Sequence, residues 1–334
     1  MILTRTPHRI SFFGGGTDYP EYYLEHGGKT LGVTIDKYSY LNIRNLPPFF
    51  DYQHRIVYSK QENVKTNSEI IHPSVRETFK HFKIDSGISI HHDGDIPARS
   101  GMGSSSAFTV GLVHALHALK GEIISKESLS QEAIHIEQKL IKENVGSQDQ
   151  VCAAYGGLNV IEFLQNGKIN VSPVIMKPTR LKEFQDSIML FFSGLSRTAS
   201  EIVEEQRENT SINIENLNRM KSLVDEAYEI LTDEKKELIE FGKLLNRTWE
   251  LKKSLSTKIT NYEIDTMYEK ALNAGAVGGK LLGAGGGGFM AFYVQKEHQL
   301  NVIQALDGYL HIPFNFDFEG SKIVVYENDD REIL

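Results

Sequence analysis

Residues 96–119 read IPARSGMGSSSAFTVGLVHALHAL, a glycine–serine loop running straight into a long apolar segment. The order matters, because the start of a helix carries unpaired backbone N–H groups and a partial positive charge. Gly101 and Gly103 let backbone approach a ligand with no Cβ in the way. Ser104, Ser105 and Ser106 can cap the helix or offer hydroxyls to an anion. From Ala107 onward the segment is apolar on nearly every face, which predicts a buried helix. A buried helix that starts this way is a rigid mount for a phosphate. The plainer alternative is a serine-capped core helix after a glycine turn. A Walker A loop is excluded, since Gly28, Lys29 and Thr30 are preceded by Tyr23 where a glycine is required. The dinucleotide fingerprint lacks its third glycine after Gly101 and Gly103.

A chain of 334 residues favours two domains. With 40% hydrophobic and 24% charged residues it can bury a proper core. Lys and Arg number 36 against 44 Asp and Glu, a net charge of -8, which argues against non-specific nucleic-acid binding. The single cysteine, Cys152, excludes an internal disulfide and suits a reducing compartment. No apolar run is long enough to span a bilayer, and residues 1–10 hold no secretory apolar region, so a cytoplasmic location is expected.

Met1 to Ile10 reads as a strand broken at Pro7, with Arg9 either at an exposed edge or recruited to a site. Ser11 to Asp18 (SFFGGGTD) is a second glycine loop. Leu31 to Ile35 and Tyr38 to Leu46 alternate like two strands. The pattern predicts a helix over Ser125 to Asn144 in which Glu137 is surrounded by Ala133, Ile134, Leu140 and Ile141. Burying an ionised carboxylate alone costs several kcal/mol, so a cation is expected beside it. An Arg or Lys would serve, and so would Mg²⁺, which takes carboxylates together with phosphate oxygens. Asp149 lies in the first turn of a short helix in GSQDQ; it either stabilises the helix dipole or acts as a general base. A domain boundary is expected near Lys177 to Phe184. Helical patterns follow at Thr198 to Glu208, Ile214 to Leu231, Lys236 to Ser254 and Tyr262 to Ala274. Val277 to Gly288 (VGGKLLGAGGGG) is a third glycine-rich stretch, expected as a packed loop touching a ligand, and Phe289 to Val294 a strand. Three glycine loops, two isolated carboxylates and one strand arginine together meet the needs of phosphoryl transfer.

TPHRISFFGGGTD (Thr6 to Asp18), PARSGMGSSSA (Pro97 to Ala107) and KLLGAGGGG (Lys280 to Gly288) stand in the order of the three GHMP-type small-molecule kinase motifs, and the resemblance spans essentially the whole chain. Within that superfamily RISFFGGGTDYPEYY, GSQDQ and GLSRTASEI look like the heptose 7-phosphate kinase branch. The resemblance implies an α+β fold. Its N-terminal domain, residues 1–182, would be similar to ribosomal protein S5 domain 2, and its C-terminal domain, residues 183–334, would be ferredoxin-like, with the site in the cleft between them. It implies that Gly101, Gly103, Ser104, Ser105 and Ser106 hold the ATP phosphates and that Ser105 and Glu137 ligate Mg²⁺. Asp149 would orient or deprotonate the acceptor hydroxyl, with Arg9 beside it. Asp18 would bind sugar hydroxyls, and Gly283 to Gly288, including Gly285 and Gly286, would complete the pocket. Gly15 and Gly16 replace a Glu-His pair of many galactokinase-like members and leave room for a larger or phosphorylated sugar. Arg99, Arg197 and Lys280 are candidate cations for that phosphate. The implied reaction phosphorylates the anomeric hydroxyl of D-glycero-D-manno-heptose 7-phosphate. Fucose or galactose kinases and a catalytically silent sugar and ATP sensor are the alternatives. The partners implied are ATP and a sugar phosphate, without nucleic acid or membrane, and a homodimer is left open.

Overall fold

The computed structural model describes residues 1–194 and 213–327. Arg197 and the helix expected over Thr198 to Glu208 therefore lie outside the described residues. In chain order the strands are β1 (Ile2–Phe13), β2 (Gly28–Asn45), β3 (His54–Val57), β4 (Gln61–Val64), β5 (Ile88–Gly94), β6 (Leu158–Phe163), β7 (Ile169–Pro173), β8 (Ile188–Phe192), β9 (Ala276–Leu281), β10 (Phe289–Val294), β11 (Leu310–His311), β12 (Phe316–Asp317) and β13 (Lys322–Tyr326). The helices are α1 (Pro20–His26), α2 (Pro73–His81), α3 (Ser104–Leu119), α4 (Lys126–His135), α5 (Gln148–Tyr155), α6 (Pro178–Asp186), α7 (Ile214–Thr232), α8 (Ile239–Lys253), α9 (Tyr262–Asn273) and α10 (Gln299–Ala305). They form an α+β fold on two sheets. One is nine-stranded and centred on β1 and β2; the other has the order β11-β8-β10-β9.

Two strands were expected between Leu31 and Leu46, yet β2 runs unbroken for 18 residues. Its register against β1 passes from Pro7↔Tyr38 to His8↔Ile35, so Asp36 and Lys37 bulge out instead of ending the strand. Asn315 satisfies the bulge, donating from its backbone and side-chain nitrogens to the Asp36 carboxylate at 2.9 Å each. The closing strands β12 and β13 return to pair with β2 and β1, so the first sheet holds both ends of the described chain.

Where Val277 to Gly288 was expected as loop, Ala276–Leu281 is strand and only the remainder is loop. Gly278 and Gly279 serve close packing there: a Cβ on Gly278 would sit 2.1 Å from the Gly242 carbonyl of α8, and one on Gly279 2.7 Å from the Ala291 carbonyl of β10.

One apolar core runs between the sheets. It joins Ile10, Phe12, Leu31 and Val33 of the first to Leu190, Phe289 and Ala291 of the second. Phe241 of α8 is fully buried and meets Phe12, Phe13 and Phe184 edge-on, with ring centroids at 5.3, 5.0 and 4.7 Å. Phe241→Ala is expected to destabilise the chain by about 3–5 kcal/mol, measured as a fall in the denaturant midpoint at unchanged slope.

Candidate active site

The helix α3 is as buried as its sequence demands, with Ala107 and residues 110–113 wholly inside. Gly103 precedes it in the left-handed region, at φ 75°; its carbonyl accepts from the Ala107 amide at 2.9 Å, but it has no side chain to cap the N–H groups of the first turn. None of the serines serves as N-cap; Ser104 is half-buried, Ser105 exposed and Ser106 buried. The first turn therefore faces an open cleft with its N–H groups and dipole. That cleft is lined by Gly15 and Gly16, by Gly101 and Gly103 to Ser106, by Gly146 and Asp149, and by Gly283 and Ala284. The glycine–serine loop before α3 and the third glycine loop touch through backbone: a Cβ on Gly101 would lie 2.6 Å from the Leu282 carbonyl, and one on Gly283 2.4 Å from the Gly101 Cα. Only glycine allows that approach, and it carries the cleft across both sheets.

Arg9 is 5% exposed, not an edge residue. Beyond Arg5 the strand β1 leaves β13, and the Arg9 amide donates to the Met102 carbonyl at 3.1 Å. The guanidinium forks onto Asp149: Nε donates to Oδ1 at 2.8 Å and Nη2 to Oδ2 at 2.6 Å, while Nη1 donates to the Gly101 carbonyl at 2.8 Å. Such bidentate pairs are the strong ion pairs. Gly103 lies against this fork, its Cβ position 3.4 Å from both Arg9 Cγ and Asp149 Oδ2. A phosphate on α3 would thus lie beside Arg9 and Asp149.

Asp18 sits on the same wall, 2% exposed. The amides of Gly16 and Gln148 donate to its two oxygens at 3.0 and 3.2 Å. Burial, and then the charge of Asp149, push its pKa up to about 6. A Cβ on Gly146 would fall 1.9 Å from Asp18 Oδ2. Gly146→Ala is accordingly expected to displace Asp18 and to destabilise the chain by about 1–3 kcal/mol, measured as a fall in the denaturant midpoint.

The helix expected over Ser125 to Asn144 is α4 followed by a wider π-helical turn, Ile136–Ile141, which ends where Lys142 turns left-handed at φ 62°. Glu137 stands at the start of that turn and is wholly buried. No cation reaches it among the described residues. Ser106 Oγ and Gln150 Nε2 donate to its Oε2 at 2.9 and 2.5 Å, and Oε1 has no hydrogen-bond partner. Burial pushes its pKa up to about 7. Ser106, not Ser105, is the serine that touches Glu137. A buried carboxylate oxygen with no partner, beside serines at a helix start, fits a hard divalent cation.

Of the remaining expected site residues, Arg99 is exposed at the cleft and Lys280 lies buried in it. Gly285 and Gly286 turn away: a Cβ on Gly285 would lie 2.8 Å from the Ile259 Cα, and the Gly286 amide donates to the Ile259 carbonyl at 2.9 Å. Lys252 of α8, 6% exposed in the cleft, was missed. Its signal was legible, since Thr248 and Trp249, four and three positions earlier, set it on the buried face of the helix.

The model of the GHMP kinases N terminal domain matches residues 69–157, and that of the GHMP kinases C terminal matches residues 221–311. With the α+β two-sheet fold and the glycine-lined cleft, the chain belongs to the GHMP kinases, ATP-dependent phosphotransferases with an alcohol group as acceptor. It is 30% identical to the D-glycero-alpha-D-manno-heptose 7-phosphate kinase of Campylobacter jejuni, over 96% of this chain and 98% of that one. It is 27% identical to the L-fucokinase/L-fucose-1-P guanylyltransferase of Bacteroides fragilis, over 90% of this chain but 35% of that longer protein. Among solved structures it is similar to a D-glycero-D-manno-heptose 1-phosphate kinase from Bacteriodes thetaiotaomicron, with a TM-score of 0.77 and 26% identity over 98% of this chain and all of that one. Kinases of this family use ATP, generally with Mg²⁺. No described helix is long and apolar enough to cross a membrane.

Proposed function

We propose that the chain transfers the γ-phosphoryl group of ATP to the anomeric hydroxyl of D-glycero-D-manno-heptose 7-phosphate, giving the 1,7-bisphosphate. The observation that carries this reading is end-to-end similarity to the Campylobacter jejuni kinase, joined to a cleft that can assemble the reaction. The N–H groups of the α3 start receive the nucleotide phosphates. Glu137, with Ser105 and Ser106 nearby, would hold Mg²⁺, which would neutralise phosphate charge. Asp149 lies beside that phosphate position and orients the acceptor hydroxyl, taking its proton as the new P–O bond forms and the bond from the γ-phosphorus to the bridging oxygen breaks, releasing ADP. Arg9 fixes Asp149 through its two hydrogen bonds, and its charge faces the group in transfer. Asp18 fixes sugar hydroxyls, and Gly15 and Gly16 leave the space.

The fucokinase relative supports a second reading, phosphorylation of an unphosphorylated sugar. ADP release measured with heptose 7-phosphate, heptose, fucose and galactose separates the two. Turnover confined to unphosphorylated sugars rejects the heptose 7-phosphate reading.

A further inference from the structure

Two amines in the cleft have no task in the mechanism above. Lys280 of β9 is 3% exposed, and its Nζ donates to the Phe12 carbonyl at 2.9 Å. Lys252 of α8 is 6% exposed, and its Nζ donates to the carbonyls of Leu281 at 2.8 Å and Gly283 at 2.5 Å. Among the described residues neither forms an ion pair with a carboxylate. The one carboxylate that acts on Lys280 from a distance is Asp18. Arg9, the third buried cation here, is already matched by Asp149. Burial first, and the neighbouring cations second, push Lys280 down to about 7 and Lys252 well below its ordinary value.

Two unpaired ammonium groups in one cavity are costly. A strut between backbone carbonyls needs only a neutral donor, which an amide side chain would supply without that cost. An ammonium has three N–H donors. The hydrogen bonds above use one on Lys280 and two on Lys252, so each keeps at least one for another acceptor. The arrangement suits a dianion entering the cavity, which would draw protons back onto both amines. The nucleotide is served by the start of α3, behind which Glu137 lies bonded to Ser106. The lysines come from the second-sheet side, next to Asp18 and the third glycine loop, where the acceptor must lie.

We propose that Lys252 and Lys280 form the subsite for the acceptor's own phosphate ester, so that this pair selects a sugar phosphate over the free sugar. The proposal rests on the sugar-phosphate reading of the reaction.

Lys252→Gln and Lys280→Gln remove the charge and keep a donor for the carbonyls. In each, kcat/KM for heptose 7-phosphate relative to unphosphorylated heptose is expected to fall roughly 10–100-fold, the factor for one charge-assisted hydrogen bond. KM for ATP is expected to stay within about threefold, and Lys280→Arg to retain most of the discrimination. An unchanged ratio overturns the proposal, as does a rise in KM for ATP without loss of discrimination, which would assign the lysines to the nucleotide. If the unsubstituted chain turns over only free sugar, the substrate reading fails on its own. Calorimetric titration of the nucleotide-free chain with inorganic phosphate then judges the lysines separately. Binding lost in the Gln variants supports an anion subsite, and equal binding overturns it. Should a Gln variant fail to fold, Lys280→Arg and the unsubstituted chain carry the titration, and absence of phosphate binding in both overturns the subsite.

Discussion

Asp149→Asn is expected to lower kcat by about 10²–10⁴-fold, the range for removal of a positioned general base, while ATP binding stays within about threefold. The argument is geometric. Asp149 is held by two hydrogen bonds from Arg9, and its Oδ2 lies 3.4 Å from where a Cβ on Gly103 would be. The side chain faces the start of α3 without belonging to it. Asparagine keeps the shape, and with it the phosphate cradle, but can neither accept a proton nor balance Arg9. Single-turnover rates at saturating ATP, together with equilibrium nucleotide binding, check the result. Turnover near the parent rate would remove Asp149 from the chemistry.

Glu137→Gln is expected to separate stability from activity. Glu137 is wholly buried, and its pKa rises from the ordinary 4.5 to about 7 because burial penalises the charged form. The sign follows directly. Between those two values the native state binds more protons than the unfolded chain, so metal-free stability falls as pH rises from about 4.5 to about 7. Above that window the cost of holding the carboxylate ionised is about 3 kcal/mol. Glutamine abolishes that cost. Without Mg²⁺ at pH 8 the variant should melt higher than the parent, and at pH 4.5 the difference should vanish. With Mg²⁺ the parent should gain stability and the variant little. The Mg²⁺ concentration for half-maximal rate should rise by at least the roughly 10–100-fold that loss of an outer-shell partner costs. Melting curves with chelator and with Mg²⁺ at the two pH values read all of this. A variant that melts below the parent in chelator at pH 8 would show that Glu137 is held by contacts other than the cation.

Much of this was already visible in linear order. The apolar run after Ser106 read as a helix inside the protein, because nearly every face of it is apolar. The apolar neighbours of Glu137 at three and four positions placed a carboxylate in oil, and the missing Oε1 partner now gives that placement its meaning. Helical period and glycine chemistry are local properties, so twenty residues suffice to read them. Errors fell where a local signal had two outcomes. Asp36 and Lys37 lay between two expected strands but bulge from one long strand, because Asn315, far along the chain, satisfies Asp36.

By itself, then, the order of residues determined three glycine loops, one buried helix and a carboxylate among apolar neighbours, each from forces acting within a few turns of chain. The tertiary structure alone decided that Arg9 grips Asp149 across 140 positions, that Ser106 and not Ser105 meets Glu137, and that Lys252 and Lys280 converge on one cavity. Those pairings depend on how two sheets pack. Packing is a property of the whole apolar core, to which no single stretch of sequence holds the register.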